Sequence, residues 1–285
     1  MKILSDESIG KSTDQCTKRN EKLKGKRNNH GTSEWSVKTV NCCTGCSHDC
    51  LYCYAKEGFI RRKQITANQW PLERIRQHDV KKRHNNYGGQ VMFPSSHDIT
   101  PTNLEACLTV LKNLLDAGNK VLVVSKPHLE GIEKICDAFM SYRGQILFRF
   151  TIGACDDTIL SYWEPNAPAY DERKNCLVYA YMTGFQTSVS VEPMLDSENI
   201  DMLIEDLMPY VSDSIWIGTM NHTGRFGKNA NPVLQQAIEK IRKGQTNSII
   251  KAIYQRHKNN PMIKWKAEIK KIVGIPLPKK PGMDI

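Results

Sequence analysis

Short apolar runs alternate with stretches of helical periodicity through the middle of the chain. Gln90-Val91-Met92-Phe93 stops at Pro94, Val121-Leu122-Val123-Val124 leads into Ser125-Lys126, and Ile146 to Ile152 forms a third run. Thr187 to Val191 follows, and Ile215-Trp216-Ile217 reads as the last strand, ending at Gly218. Runs of this length, bounded by turn residues, predict strands. Between them, Leu104, Leu108, Leu111 and Leu115 share one helical face that ends near Gly118. Leu129, Ile132, Ile135 and Phe139 line a second helix, Tyr170 to Met182 predicts a third that ends at Gly184, and Ile200, Leu203, Ile204 and Leu207 mark a fourth. Thr102-Asn103-Leu104-Glu105 has the spacing of a capping box at the start of the first.

Upstream, Trp35 to Val40 predicts a strand that runs straight into a cysteine-rich loop. Strands alternating with helices predict a parallel sheet with right-handed crossovers. About six strand–helix units can be counted on that pattern, too few for a closed eight-fold barrel. The expected fold is therefore α/β, a partial (β/α)6 TIM-like barrel of parallel strands. Residues 1–34 are expected to form a basic N-terminal arm, 35–226 the barrel and 227–285 a helical C-terminal extension. In that extension Pro232 to Lys243 and Ser248 to His257 predict helices, before the Pro-rich stretch from Pro276 to Pro281.

The bulk composition narrows the class. A chain of 285 residues has room for one large α/β domain with extensions, or for two small domains. A hydrophobic content of 40% and a mean hydropathy of −0.49 fit a soluble globular protein. No apolar run of about 18 residues is present, so no membrane span is expected. Met1 to Asn20 lacks the apolar core of a secretory signal. Ten cysteines in such a chain predict reduced thiols and a metal site, in a reducing compartment such as the cytoplasm. The formal charge of +10 and a pI near 9.0 favour an acidic partner, most often nucleic acid, although solvated lysine faces produce the same balance. Lys18, Arg19, Lys22, Lys24, Lys26 and Arg27 read either as phosphate contacts or as a solvated tail. Arg61-Arg62-Lys63 and Lys81-Lys82-Arg83 flank Trp70, an aromatic that can stack a base or simply pack at a helix start before Pro71.

The candidate chemistry lies in the loop from Asn41 to Ala55. Cys46, Cys50 and Cys53 form a C-x₃-C-x₂-C array, with Tyr52 before the last cysteine. Thiolates on one short loop can converge on one metal centre. Three of them leave the fourth iron of a 4Fe–4S cluster without a protein ligand, and an open metal position is where a co-substrate binds. A structural zinc site is the alternative, with Cys42, Cys43 or His48 as the fourth donor. Either of the adjacent Cys42 and Cys43 also reads as a core residue.

This array resembles the cluster motif of the radical S-adenosylmethionine (SAM) superfamily. The likeness extends over about residues 41 to 195 to its spore photoproduct lyase and DNA-repair-photolyase-like branch. Phe148-Arg149-Phe150-Thr151 resembles that branch's strand-4 motif, and Trp163-Glu164-Pro165 with Arg173 its aromatic-Glu-Pro motif followed by Arg. Phe93 to Ile99 resembles the segment after its second strand, and Ser125-Lys126 its Thr-Lys after the third. The resemblance implies a 4Fe–4S cluster held by Cys46, Cys50 and Cys53. It also implies a SAM site formed by the Tyr52 backbone beside the adenine, by Ser96, His97 and Asp98 at the methionine end, by Lys126 and by Thr151 near the ribose. His97 reads equally as a hydrogen-bonded structural histidine, and Lys126 as a strand cap. The implied chemistry is reductive cleavage of SAM to a 5′-deoxyadenosyl radical that abstracts hydrogen from a substrate, with a flavodoxin or ferredoxin as reductant.

One departure stands out. The branch places a hydrogen-donating cysteine just after its second strand, and here that position is Ser95, whose O–H bond is far too strong for the task. Tyr52 and Tyr54 match two tyrosines of the same relay. Cys155, just past the fourth strand, is a candidate donor, whereas Cys107, Cys136 and Cys176 fall on helices and read as core. The expected function is radical SAM chemistry on nucleic acid or a nucleotide-like substrate. A protein or peptide substrate is the alternative within that chemistry, and a metal-stabilised nucleic-acid-binding protein the alternative outside it. No cysteine follows Cys176, which argues against auxiliary clusters near the C-terminus.

Overall fold

A computed structural model describes residues 31–226 and 231–284, so the basic arm lies outside the described residues except for its last four. The elements in chain order are β1 (Lys38–Thr39), β2 (Cys43–Thr44), α1 (Tyr54–Arg61), β3 (Arg74–Ile75), α2 (Gln77–Val80), β4 (Gln90–Phe93), α3 (Leu104–Asp116), β5 (Lys120–Ser125) and α4 (Leu129–Phe139). They continue with β6 (Ile146–Thr151), α5 (Asp157–Trp163), α6 (Tyr170–Met182), β7 (Gln186–Val191), α7 (Ile200–Leu207), β8 (Ile215–Ile217), α8 (Pro232–Gly244), α9 (Asn247–His257), β9 (Ile263–Trp265) and α10 (Ala267–Val273). Seven strands form one sheet in the order β1-β4-β5-β6-β7-β8-β9, every pair parallel. The sheet follows chain order and its edges are not joined, which is the open, partial barrel expected.

Side chains alternate across the strands. Val91, Phe93, Val121, Val123, Phe148, Phe150, Val189, Val191, Ile215 and Ile217 pack outward in the main core with the helices. Met92, Leu122, Leu147 and Trp216 point the other way and share a smaller cluster with Trp35, which precedes β1. One residue can join side chains of four strands only if the sheet curves around it. The fully buried Arg149 guanidinium lies between the Trp35 and Trp216 rings, 4.7 and 5.1 Å from their centroids, where a cation meets the electron-rich ring faces. The barrel floor is thus filled, and open chemistry is confined to the C-terminal ends of the strands.

Three features differ from the sequence expectations. Ile215–Ile217 is not the last strand: β9 pairs with it, Ile215 opposite Ile263 and Ile217 opposite Trp265. A short helix, α5, forms after β6, its N-terminus capped by the Asp156 carboxylate at 2.7 Å from the Thr158 N–H. The capping box at Thr102 does not form. Helix α3 starts at Leu104, and the Asn103 side chain accepts from the Thr100 N–H and donates to Glu73 and to the Asp98 carbonyl. Trp70 is fully buried against Cys46, Ala55, Ile65 and Phe59, a packing residue.

The segments on either side of the barrel close together beside its floor. Lys266, after β9, has its ammonium 2.9 Å from Glu34 and 3.3 Å from Glu192, and Gly282 N–H reaches the Ser33 carbonyl. Glu34 and Lys266 are both about 1% exposed, so removing one leaves the other charged and unsolvated. Lys266→Met is expected to destabilise the fold by about 3–5 kcal/mol in denaturant titrations, and adding Glu34→Gln to recover part of that loss.

Candidate metal and cofactor site

Strand β1 delivers the chain to the cysteine loop at the C-terminal edge of the sheet. The loop's backbone is pinned before the first ligand. Arg76 donates to the carbonyls of Cys43 at 2.7 Å and Asn41 at 2.8 Å, and its own N–H reaches the Cys42 carbonyl at 2.8 Å. The Asn41 side-chain oxygen accepts from Ser95 and Ser96 N–H at 2.7 and 2.8 Å, tying the loop to the segment after β4. Gly45 has φ +96°, and a Cβ there would lie 2.5 Å from the Trp70 carbonyl. Only glycine accommodates both the left-handed backbone and that approach.

Cys46 and Cys50 are buried and Cys53 half-buried at the start of α1, where the Lys56 N–H points at the Cys53 sulfur at 3.4 Å. Burial raises the pKa of all three thiols, and Cys50 is raised further by neighbouring anionic groups including Cys53. Each sulfur therefore resists ionisation without a cation. A metal centre among them reverses that balance, because the thiolate is the ligand form.

Asp98 is the hub beneath the loop. One carboxylate oxygen is 2.9 Å from His48 Nδ1, 3.0 Å from Lys126 Nζ and 3.8 Å from the Cys46 sulfur. The other accepts from the Lys126 N–H at 2.9 Å and the Ser125 hydroxyl at 3.3 Å. Burial alone would raise the Asp98 pKa, but Lys126 and His48 outweigh it and hold it well below the usual carboxylate range. Burial likewise works against a charged Lys126, and Asp98 with other acidic neighbours keeps its pKa well above the usual lysine value. Beyond His48, its Nε2 meets His128 Nε2 at 2.9 Å.

Tyr52 anchors the other side. Its hydroxyl donates to Glu164, whose second oxygen is 2.5 Å from Arg173, and both charged residues are fully buried. Arg173 also donates to the carbonyls of Pro168 at 2.7 Å and Thr151 at 3.3 Å. The aromatic-Glu-Pro segment thus links the cysteine loop to the end of β6.

The expected site residues separate on this frame. Cys46 meets Asp98 and, through it, Lys126, while Cys50 and Cys53 lie further along the same loop. Thr151 is buried at the end of β6 and enters through its carbonyl. His97 holds backbone: Nε2 accepts from Cys42 and Cys43 N–H at 3.3 Å, and Nδ1 lies 2.9 Å from the Asp98 carbonyl. Ser96 is held by Asn41, and Tyr54 donates to the Ser95 carbonyl. Cys155 is half-buried, and its pKa is raised by burial and then by Asp196, Asp156 and Asp206. Cys107, Cys136 and Cys176 are fully buried in the core. The roles of Asn41, Arg76 and His128 were not apparent from the sequence, because each acts on backbone or on a side chain more than 30 residues away. Among the described residues, the ligand atoms of Cys46, His48 and Asp98 lie within 4.8 Å of one another. A metal ion bound there would face the Lys126 ammonium, which already neutralises Asp98. A separate cavity of about 650 Å³, lined by Tyr162, Leu195, Ala237 and Ile241 among others, includes no residue of the cysteine loop.

No protein-family model and no curated protein matches the sequence. Solved structures do share the fold. A variant of spore photoproduct lyase with bound SAM and dinucleoside spore photoproduct superposes with a TM-score of 0.53 at 15% identity, covering 80% of this chain and 75% of that one. A second variant with dinucleoside spore photoproduct gives 0.53 at 14% identity over the same shares. Streptococcus suis SuiB bound to SAM gives 0.49 at 10% identity, covering 95% of this chain and 57% of that one. The architecture of this chain is that of the spore photoproduct lyase structures.

Removing the Lys126 ammonium leaves a buried carboxylate without its counter-ion. Lys126→Met is expected to destabilise the fold by about 3–5 kcal/mol, and the Asp98→Asn, Lys126→Met pair by less than the single lysine change, in denaturant titrations. The pH dependence has a defined sign. A depressed carboxyl stabilises the fold above its unfolded pKa and loses that contribution as pH falls through its folded value. The stability gap between the parent and Asp98→Asn is therefore expected to be full at neutral pH and to shrink below about pH 4.

Proposed function

We propose that this chain is a radical SAM enzyme resembling spore photoproduct lyase, acting on nucleic acid or a nucleotide-like substrate. The observation that carries this is the trio Cys46, Cys50 and Cys53, the first two buried and the third half-buried, on one pinned loop at the C-terminal edge of an open parallel barrel. The donor set fits a 4Fe–4S cluster with one iron free. It holds three thiols on one short loop, and the other candidate fourth donors are engaged elsewhere. Cys42 faces Cys107 at 3.8 Å, the Cys43 thiol donates to the Thr44 carbonyl, and His48 is bonded through both nitrogens. When bound, such a cluster supplies one electron to SAM, which yields methionine and a 5′-deoxyadenosyl radical that abstracts hydrogen.

The chain's own residues then have distinct tasks. Cys46, Cys50 and Cys53 ligate iron. Asp98 fixes Lys126 and His48 beneath the loop, and Lys126 offers positive charge to the carboxylate end of SAM. Ser96 and the segment with His97 border the methionine end, Thr151 the ribose side, and the Tyr52 backbone the adenine. Glu164 and Arg173 hold Tyr52 in place. Ser95 provides no weak X–H bond, so hydrogen return falls to Tyr52, Tyr54 or Cys155. The exposed Arg61, Arg62, Lys63, Lys81, Lys82 and Arg83 supply phosphate contacts, and a flavodoxin or ferredoxin the electron. The dinucleoside bound by the structural relative favours a nucleic-acid substrate.

The test is anaerobic reconstitution with iron, sulfide, reductant and SAM, in the presence of deuterated oligonucleotides. The expected result is 5′-deoxyadenosine that carries deuterium, and none from Cys50→Ala. Failure of the parent to cleave SAM, or equal cleavage by Cys50→Ala, overturns the proposal.

A further inference from the structure

The strap that leaves β8 crosses back over the cysteine loop. It runs from Gly218 through a turn at His222, a non-glycine residue with φ 57°, to a short 3₁₀ turn over Thr223–Phe226. Three contacts from the C-terminal half anchor its base. Glu268 accepts from the Thr219 N–H at 2.9 Å, Gln245 from the Met220 N–H at 2.9 Å, and Arg242 donates to the Thr223 carbonyl at 3.1 Å. Its tip carries Arg225 and Phe226. Arg225 donates to the backbone carbonyl of Tyr52 and lies 2.8 Å from the Glu57 carboxylate. Phe226 packs edge-on against Trp163, with centroids 5.9 Å apart. The Arg225 side chain is only 17% exposed, so the guanidinium covers that carbonyl rather than brushing past it.

Tyr52 lies between the second and third cluster cysteines, and its backbone is the adenine-facing edge in the function proposed above, on which this inference rests. A carbonyl already bonded to a guanidinium is a poorer acceptor for an incoming amino group, and the strap tip occupies the space beside it. Beyond the Arg225 contacts, the turn is held by Phe226 on Trp163 and by Arg242 on the Thr223 carbonyl. Glu57 is 49% exposed, so its ion pair with Arg225 is weak, and the left-handed His222 backbone gives the strap a strained turn from which to swing. We propose that the Thr223–Phe226 turn is a gate on the adenine end of the SAM site, with Arg225 as its latch on the Tyr52 carbonyl and on Glu57. The gate opens when Arg225 releases that carbonyl to the adenine amino group. A site so covered admits SAM only after the latch lets go, which lowers the apparent affinity by the fraction of molecules that are open.

The test uses the anaerobically reconstituted full chain and measures SAM binding by calorimetry, with association rates by stopped flow. Arg225→Ala is expected to bind SAM about tenfold more tightly than the parent, mostly through a faster association rate, as expected when a closed fraction is removed. Glu57→Gln, which loosens only one arm of the latch, is expected to shift both quantities the same way by less. Equal or weaker binding by Arg225→Ala overturns the gate, because Arg225 would then be a bystander or would position the carbonyl. If neither the parent nor Arg225→Ala binds SAM while both carry iron and sulfide, the proposed cofactor site itself fails, and the gate with it.

Discussion

The carboxylate of Asp98 joins the three segments that make the site. It bonds His48 of the cysteine loop, the ammonium and N–H of Lys126 at the end of β5, and the Ser125 hydroxyl, while its own carbonyl accepts from His97 and Asn103. Each partner alone is a modest interaction. Together they fix the height of the loop over the sheet, because a buried carboxylate cannot give up its cations without a large penalty. The Cys46 thiol sits on that platform, 3.8 Å from the carboxylate.

The rest of the fold supports the same edge. The barrel floor is plugged by Trp35, Trp216 and Arg149, so strand ends carry the polar groups and strand middles carry packing. The Tyr52–Glu164–Arg173 chain holds the loop from the β6 side, and Arg76 and Asn41 hold it from the β4 side. The loop is therefore braced on both flanks and below. The strap meets it through Arg225, which donates to the Tyr52 carbonyl. Rigidity below and a removable cover above are what the proposed cluster and co-substrate site would require.

Much of this was legible in the chain. Strands β4, β5, β6 and β8 are apolar runs that stand out, β7 shows only the alternation of Val189 and Val191, and the cysteine spacing located the loop. Strand β9 was hidden because Ile263-Lys264-Trp265 has a lysine at its centre and is defined only by pairing with β8. Helix α5 is too short for periodicity, although Asp156 before it is a readable cap. Thr102-Asn103-Leu104-Glu105 misled because Asn103 is drawn instead to Glu73 and the Asp98 carbonyl, a tertiary demand that no local pattern records. The positions of Asp98 and Lys126 were foreseeable, but not their pairing with each other. Neither was the Arg225 contact to Tyr52, which closes over 173 residues of chain.

The most direct measurement is spectroscopy of the reduced, anaerobically purified protein with SAM labelled at its methionyl amine. The account predicts iron and sulfide in equal amounts and a magnetic coupling between the cluster and the labelled nitrogen. Zinc held by four protein donors, or an iron–sulfur cluster that shows no coupling to SAM, would contradict it.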